Sequence, residues 1–286
     1  MYAKKGVCVL NMLFPSGKRK ALTFSYDDGV EQDIRLIELF NKYGLKCTFN
    51  LNGFHLQDEE RTYEAGRIHR PLARRRAKEV YGGEMGMPHE IALHSYSHPH
   101  LEALDHERCE WEIDHDREVL EAIFGRTVSG SAYPFGTYND TVVNILRSRG
   151  IKYARTVEST RDFKIPTDWL RMPATCHHDD PALFSLADKF LTDTPDVPWL
   201  FYVWGHSYEF ESHNNWDRIE KFCEMISGRD DIWYATNGEI YDYIKAYESL
   251  QASPDGKKIF NPSDVCVWIS CGKDVMLLPK ETIILE

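Results

Sequence analysis

The chain of 286 residues has no C-x-x-C pair, no internal repeat, no low-complexity tract and no excess of positive charge. No apolar run approaches the roughly 18 residues that cross a bilayer as a helix. Each absence removes a class. Without a long apolar run, no helical membrane span is expected. Without paired cysteines, neither a zinc ribbon nor a small disulfide scaffold is expected. The seven cysteines are odd in number and scattered, which favours a reducing compartment, and the spacing of Cys266 and Cys271 suits packing more than metal binding. The net charge of −11 argues against binding nucleic acid by phosphate neutralisation. The N-terminal stretch has a short apolar part, broken by Asn11, and no small-residue cleavage site. It reads as mature sequence, and a cytoplasmic location is expected.

What is present is a regular alternation. Hydrophobic residues make up 42% of the chain, enough for a full core. Strand-like runs at 21–26, 46–51, 90–93, 128–132, 151–155, 199–204 and 232–235 alternate with helical periodicity at 31–43, 105–124, 139–149, 181–191, 216–226 and 239–250. About seven β-then-α steps imply a parallel barrel or a doubly wound sheet. Residues 156–180 read as a long polar loop. After Ser253-Pro254-Asp255-Gly256 the pattern changes to short strands without helices. The domain expectation is therefore 1–252 for the α/β body and 253–286 for a small β appendage.

The candidate chemistry sits at strand ends. In A-L-T-F-S-Y-D-D-G-V, residues 21–30, an apolar run leads into Asp27, Asp28 and Gly29. Neighbouring strand residues face opposite ways, so the two acids can do different jobs. Taken alone, D-D-G is a turn. The fourth strand run, counted with the N-terminal edge strand, leads into H-S-Y-S-H-P-H, where His94 and His98 are spaced i, i+4 and can share a metal. Two histidines with a carboxylate from another strand end leave coordination positions open for water and substrate. Asp27 would lie beside that water, and His206, ending the apolar run W-L-F-Y-V-W-G-H, would be a proton donor across the cleft. Pro134-Phe135-Gly136 could aim a backbone N–H at an oxyanion. His100 is taken as a supporting or surface residue, and His55 and His89 as surface. The cationic segment 54–88 is either a solvated helix face or a loop over the site. Cys176-His177-His178-Asp179-Asp180 either lines the cleft or precedes the next helix, and Asp180-Pro181 favours the latter. Aromatic residues near the expected mouth are Tyr96, Tyr133, Phe135, Tyr138, Trp169, Trp204 and Tyr208.

These motifs resemble the polysaccharide deacetylase family, the NodB homology domain of carbohydrate esterase family four. Ser25-Tyr26-Asp27-Asp28-Gly29 resembles T-F-D-D-G, and His94-Ser95-Tyr96-Ser97-His98 matches H-[ST]-x-x-H in full. Ala132-Tyr133-Pro134-Phe135-Gly136 partly matches R-x-P-[YF]-G. Asp168-Trp169 and Gly205-His206 resemble the later D-W and L-H motifs. The resemblance spans roughly residues 20–250.

It implies a distorted (β/α) barrel of about seven parallel strands. Asp28, His94 and His98 would hold a divalent metal, usually zinc, with cobalt or nickel as alternatives. Asp27 would be the base, His206 the acid, and the Phe135 N–H an oxyanion donor. The reaction would be removal of N-acetyl or O-acetyl groups from a saccharide. Tyr133, Pro134, Trp169, His178 and Tyr208 are the candidate substrate contacts. The family arginine that tethers the base is Ala132 here, and Arg171 is the expected replacement. Three further readings remain beside it: a saccharide-binding barrel without catalysis, a hydrolase of a non-sugar amide, and a non-haem iron site. No nucleic acid or membrane partner is expected.

Overall fold

The computed structural model describes residues 10–86 and 88–285; most of the stretch read as mature N-terminus, residues 1–9, lies outside them. The first described strand, β1 (Asn11–Leu13), stands apart from the strands that follow. In β2 (Lys20–Asp27) alternate side chains take opposite faces. Leu22, Phe24 and Tyr26 enter the core shared with the helices, together with Phe40, Phe49 and Phe201. Ala21 joins Tyr153, Leu200, Tyr202 and Trp204 in a second cluster on the other face. Ser25 and Asp27, of the same parity as Ala21, bond Asn50. One parity therefore packs under helices and the other fills the inside of the sheet.

Beside β2 lie, in order and all parallel, β3 (Cys47–Leu51), β4 (Glu90–Leu93), β5 (Gly130–Ala132) and β6 (Tyr153–Ser159). Next come β7 (Met172–Ala174) and β8 (Cys176–His177), separated only by Thr175. β7 pairs with β6, and β8 pairs with β9 (Trp199–Gly205), which itself flanks β2. This one extended run joins the two edges and closes the sheet into a barrel. The loop expected at 156–180 is thus partly strand. Its polar sequence shows no strand periodicity, and its extended form is set by neighbours on both sides. β10 (Ile232–Tyr234) pairs with the start of β2.

The helices are α1 (Asp33–Lys42), α2 (Arg74–Gly82), α3 (His106–Phe124), α4 (Asp140–Ser148), α5 (Leu183–Thr192), α6 (Ser207–Ser212), α7 (Trp216–Ile226) and α8 (Asn237–Glu248). Their ends follow local chemistry. Asp105 accepts the Arg108 N–H at 2.8 Å to open α3, and Gly125 closes it in the left-handed region. Asp180 accepts the Ala182 N–H at 2.8 Å just ahead of α5. α2 falls within the cationic segment 54–88, for which a solvated helix face is one of the two readings, and it buries Ala77, Val80 and Tyr81; α6 was not evident in the sequence.

The tail adds β11 (Gln251–Ala252), β12 (Lys258–Phe260), β13 (Val267–Ser270), β14 (Asp274–Leu277) and β15 (Thr282–Ile284), all in antiparallel pairs. β13 also pairs with β1, so segments from both halves of the chain share one small sheet. Tyr243 of α8 ties it down, donating to Leu13 O at 2.5 Å and accepting the Trp268 N–H at 2.9 Å. The sequence leads to no expectation of a disulfide scaffold, and its cysteines favour a reducing compartment; Cys271, at the β13–β14 turn, is nevertheless disulfide-bonded. Cys47, Cys109, Cys176, Cys223 and Cys266 are free thiols. Sequence spacing cannot show which distant cysteines a fold brings together. No helix among the described residues is long and apolar enough to cross a membrane.

Candidate active site

The motif residues gather where the parallel strands end, the end at which barrel folds place their chemistry. Asp27 is the last residue of β2, and Asp28 follows in the left-handed region with φ 78°. Gly29 continues the turn at φ +64°, where an added Cβ would sit 2.9 Å from Leu51 Cδ2. Ser95 and His98 also have positive φ, at 54° and 55°. Such backbone strain persists only where surrounding bonds over-determine it.

Here the bonds come from α3. Asp116 accepts the N–H groups of Gly53 at 2.7 Å and His94 at 3.1 Å. Glu112 accepts from Ser97 N–H at 2.8 Å and Ser97 Oγ at 2.7 Å. Asn52 donates to the carbonyls of His94 and Ser95 at 2.6 and 2.8 Å. Glu112 and Asp116 were missed by sequence reasoning. Their signal was available: two acids at i, i+4 on the same face as Cys109, Ile113 and Leu120 of α3.

Asp28, His94 and His98 place one donor atom each within 4.8 Å of one another. Asp28 Oδ1 lies 3.6 Å from His94 Nε2 and 3.7 Å from His98 Nε2. His94 Nδ1 is 2.9 Å from Ala132 O. A carbonyl only accepts, so Nδ1 carries the proton and the Nε2 lone pair faces Asp28. Burial, helped by the neighbouring His94, pushes His98 down to about 4, which leaves it neutral and able to ligate. Burial alone would raise Asp28, but a hydrogen bond from His69 and the surrounding imidazoles hold it below the usual carboxylate range. Two imidazoles and an ionised carboxylate beside an open cleft fit a divalent cation such as zinc.

Asp27 is buried and doubly held. Oδ1 accepts from Asn50 Nδ2 at 2.7 Å, and Oδ2 pairs with the guanidinium of Arg155. Burial would raise this carboxyl, but Arg155, His94 and His206 keep it low and ionised. Arg155 comes from β6 and lies over the Trp204 ring, 4.3 Å from its centroid. Arg171, the expected tether, points elsewhere: it pairs with Asp168 at 2.7 Å and Asp140 at 2.5 Å. The cation beside Asp27 comes from the strand following Ala132, which no motif match marks.

His206 follows β9 and precedes α6, with Nε2 3.8 Å from Asp27 Oδ2 and Nδ1 3.3 Å from Glu209 Oε1. Burial would lower it, yet Glu209 and the two aspartates raise it to about 9. Glu209 also accepts the His206 backbone N–H at 3.1 Å and lies 3.2 Å from His177 Nε2. It was not singled out from the sequence, although it stands three residues after His206 in the first turn of α6.

A cavity of about 270 Å³ opens over these groups, lined by Asp27, Asp28, His94, His98, Tyr133, Phe135, Gly136, Val157, Trp204, His206 and Tyr208. Phe135, at φ 58°, lays its ring against His98 and stacks on His100 at 4.1 Å. Tyr133 donates its hydroxyl to Leu170 O at 2.7 Å.

The other expected contacts sit away from the cavity. Pro134 is buried and shapes the turn without lining the cleft. Trp169 is buried in the second cluster, edge-on to Tyr241 at 5.2 Å. His178 is fully buried between Tyr26 and Phe210, at ring distances of 5.6 and 4.1 Å. Its Nδ1 would lie 2.0 Å from a Cβ on Gly205, so only glycine fits there. His89 is also buried, accepting the Cys47 N–H at 3.1 Å. His55 is half-buried, its ring 6.3 Å from that of His69.

Comparison with known proteins adds three findings. The family model "Polysaccharide deacetylase" matches residues 15–154, a span that includes Asp27, Asp28, His94, His98 and the Pro134 turn. The model "Glycosyl hydrolase family 57" matches residues 88–260, which leaves the aspartate pair outside. No curated protein matches the chain. Among solved structures, a protein described as a polysaccharide deacetylase from Mycobacterium smegmatis aligns with a TM-score of 0.59 and 16% identity, covering 86% of this chain and 96% of that one. A family 4 acetyl xylan esterase from Clostridium thermocellum, in complex with a cobalt ion, aligns with a TM-score of 0.51 and 16% identity, covering 77% and 90%. At these identities the structures share the fold. With that barrel, and with both the aspartate pair and the histidine pair inside the matching span, residues 15–154 form a polysaccharide deacetylase family domain.

Proposed function

We propose that the protein is a metal-dependent hydrolase that removes N-acetyl or O-acetyl groups from a saccharide, with zinc the expected ion. One observation carries the reading: Asp28 Oδ1 and two imidazole Nε2 atoms converge, with the His94 lone pair turned inward by Ala132 O. A divalent ion held by Asp28, His94 and His98 would supply Lewis acidity, lowering the pKa of a water and polarising the acetyl carbonyl. Asp27, kept ionised by Arg155 and positioned by Asn50, takes the proton of the attacking water. The Phe135 N–H, in a turn shaped by Pro134, donates to the oxyanion. His206, kept protonated by Glu209, gives its Nε2 proton to the leaving nitrogen or oxygen. Tyr208 and Phe135 offer rings to the sugar at the cavity wall.

The competing readings are disfavoured by particular residues. A non-catalytic barrel was suggested by Ala132, but Arg155 supplies the missing cation. An iron–oxygen site has no use for the Asp27–Arg155 and His206–Glu209 pairs. Glycoside cleavage, raised by the second family model, needs a carboxylic acid whose pKa is raised so that it can protonate the leaving group. Both cleft aspartates are held low instead.

The test is acetate release from acetylated chito-oligosaccharides by zinc-loaded protein. Asp27→Asn is expected to lower it about 10²–10⁴-fold with bound metal unchanged. Undiminished acetate release in that variant would overturn the assignment of the base. New reducing ends without acetate would favour glycoside hydrolysis, and oxygen uptake would favour iron chemistry.

A further inference from the structure

The segment 54–88 supplies a residue that no motif marks. His69 Nε2 lies 3.2 Å from Asp28 Oδ2, the oxygen that does not face His94 and His98. A carboxylate held ionised can only accept, so His69 is the donor and its Nε2 carries the proton. The contact is built from both sides. Gln32 Nε2 donates to Ile68 O at 2.7 Å, the Glu31 N–H to Arg70 O at 2.9 Å, and the Leu72 N–H to Gly29 O at 2.8 Å. These bonds bracket His69, and their partners Gly29, Glu31 and Gln32 belong to the turn that carries Asp28. Arg70 fastens the same strap to Glu31 at 2.6 Å and to Glu211 of α6 at 2.9 Å. The Tyr208 ring stands edge-on to His69 at 5.1 Å.

We infer that His69 is a positioning residue of the metal site: by occupying Asp28 Oδ2 it holds this carboxylate to single-oxygen ligation and aims Oδ1 between the two imidazoles. This inference rests on the metal reading above. Hydrogen bonds to the second oxygen of a ligating carboxylate orient it, and losing such partners typically costs 10–100-fold in metal affinity. The strap is therefore part of the metal site and not only a solvated surface.

The experiment measures zinc affinity by competition with a chromophoric chelator, and carboxylate ligation by X-ray absorption of the cobalt-substituted protein. The proteins are wild type, His69→Ala, His69→Gln and His94→Ala. His69→Ala is expected to bind zinc about 10–100-fold more weakly, with a rise in coordination number as Asp28 becomes two-oxygen. His69→Gln, whose amide N–H can still donate, is expected to recover most of the loss. Zinc affinity within twofold of wild type in His69→Ala, with unchanged coordination, would overturn the inference while leaving the metal site standing. Equal weak loss in both His69 variants would overturn the donor role in favour of bulk packing. If wild type and His94→Ala bind zinc alike, the metal reading itself fails.

Discussion

Of the three histidine–carboxylate clusters among the described residues at the end of this barrel, two differ in which nitrogen carries the proton. In the first, Asp28, His94 and His98, a carbonyl fixes the His94 proton on Nδ1 and leaves Nε2 free toward the acid. In the second, His177, His178 and Asp179, the donor atoms are equally close, within 4.8 Å. But His177 Nδ1 accepts the Asp179 N–H at 3.1 Å, so its proton is on Nε2, facing Glu209 Oε2 at 3.2 Å. His178 is sealed in the core beside it. In the first cluster His94 turns a lone pair toward Asp28 beside an open cavity; in the second His177 turns a proton toward Glu209. Closeness of donors is therefore not enough to define a metal site. The second cluster instead orients Glu209, which in turn holds His206.

The sharpest way to break this contrast is to remove one imidazole from each cluster. His94→Ala is expected to lose the bound ion and, with several kcal/mol of Lewis-acid stabilisation gone, about 10³-fold or more in deacetylation rate. His177→Ala is expected to keep one ion per chain by elemental analysis. An ion lost from the His177 variant and kept in the His94 variant would reverse the two assignments.

Next in size is the cation on the base. Arg155→Met leaves Asp27 buried without its partner, an expected loss of about 3–5 kcal/mol in unfolding free energy. Arg171→Ala removes only exposed ion pairs and should cost under about 1 kcal/mol, with activity retained. Denaturant titration and acetate release separate the two arginines.

The smallest effect is on pH. If protonated His206 is the acid, activity is present while His206 is charged and falls as pH rises through about 9. Glu209→Gln removes the main partner that raises His206, so the alkaline limb should move down toward the ordinary histidine value. An alkaline limb unmoved in that variant would detach Glu209 from the proton donor. His69→Ala, by its effect on zinc affinity, tests the first cluster from the strap side.

Much of the barrel was legible because a parallel strand buried on both faces and a helix on its flank leave different periods. Residues 20–51 show this in the step from an apolar run to the Leu36, Ile37 and Phe40 stripe. The closing run at β7 and β8 was not legible: it is short, carries Pro173, and is held extended by β6 and β9, which bond it from both sides. In the candidate site, adjacency exposed Asp27 with Asp28 and the i, i+4 spacing exposed His94 with His98. Arg155 and His69 reach the site from other elements, and nothing local to them points there, whereas Glu112 and Asp116 support it from the apolar face of α3. Trp169 and His178 had the right residue type near a motif, but the packing of neighbouring elements buries both in the core.

Sequence by itself determined the alternation of strand and helix and the residues that end β2, β4 and β9, because periodicity, capping and residue type act over a few neighbours. Only the tertiary structure decided which cation reaches Asp27, which histidine takes the second oxygen of Asp28, and which of two histidine clusters keeps its lone pairs free. Those outcomes depend on contacts between residues 128 apart for Asp27 and Arg155 and 41 apart for Asp28 and His69. Distances of that kind in the chain are set by barrel closure, where strand order and register place side chains that no local pattern relates.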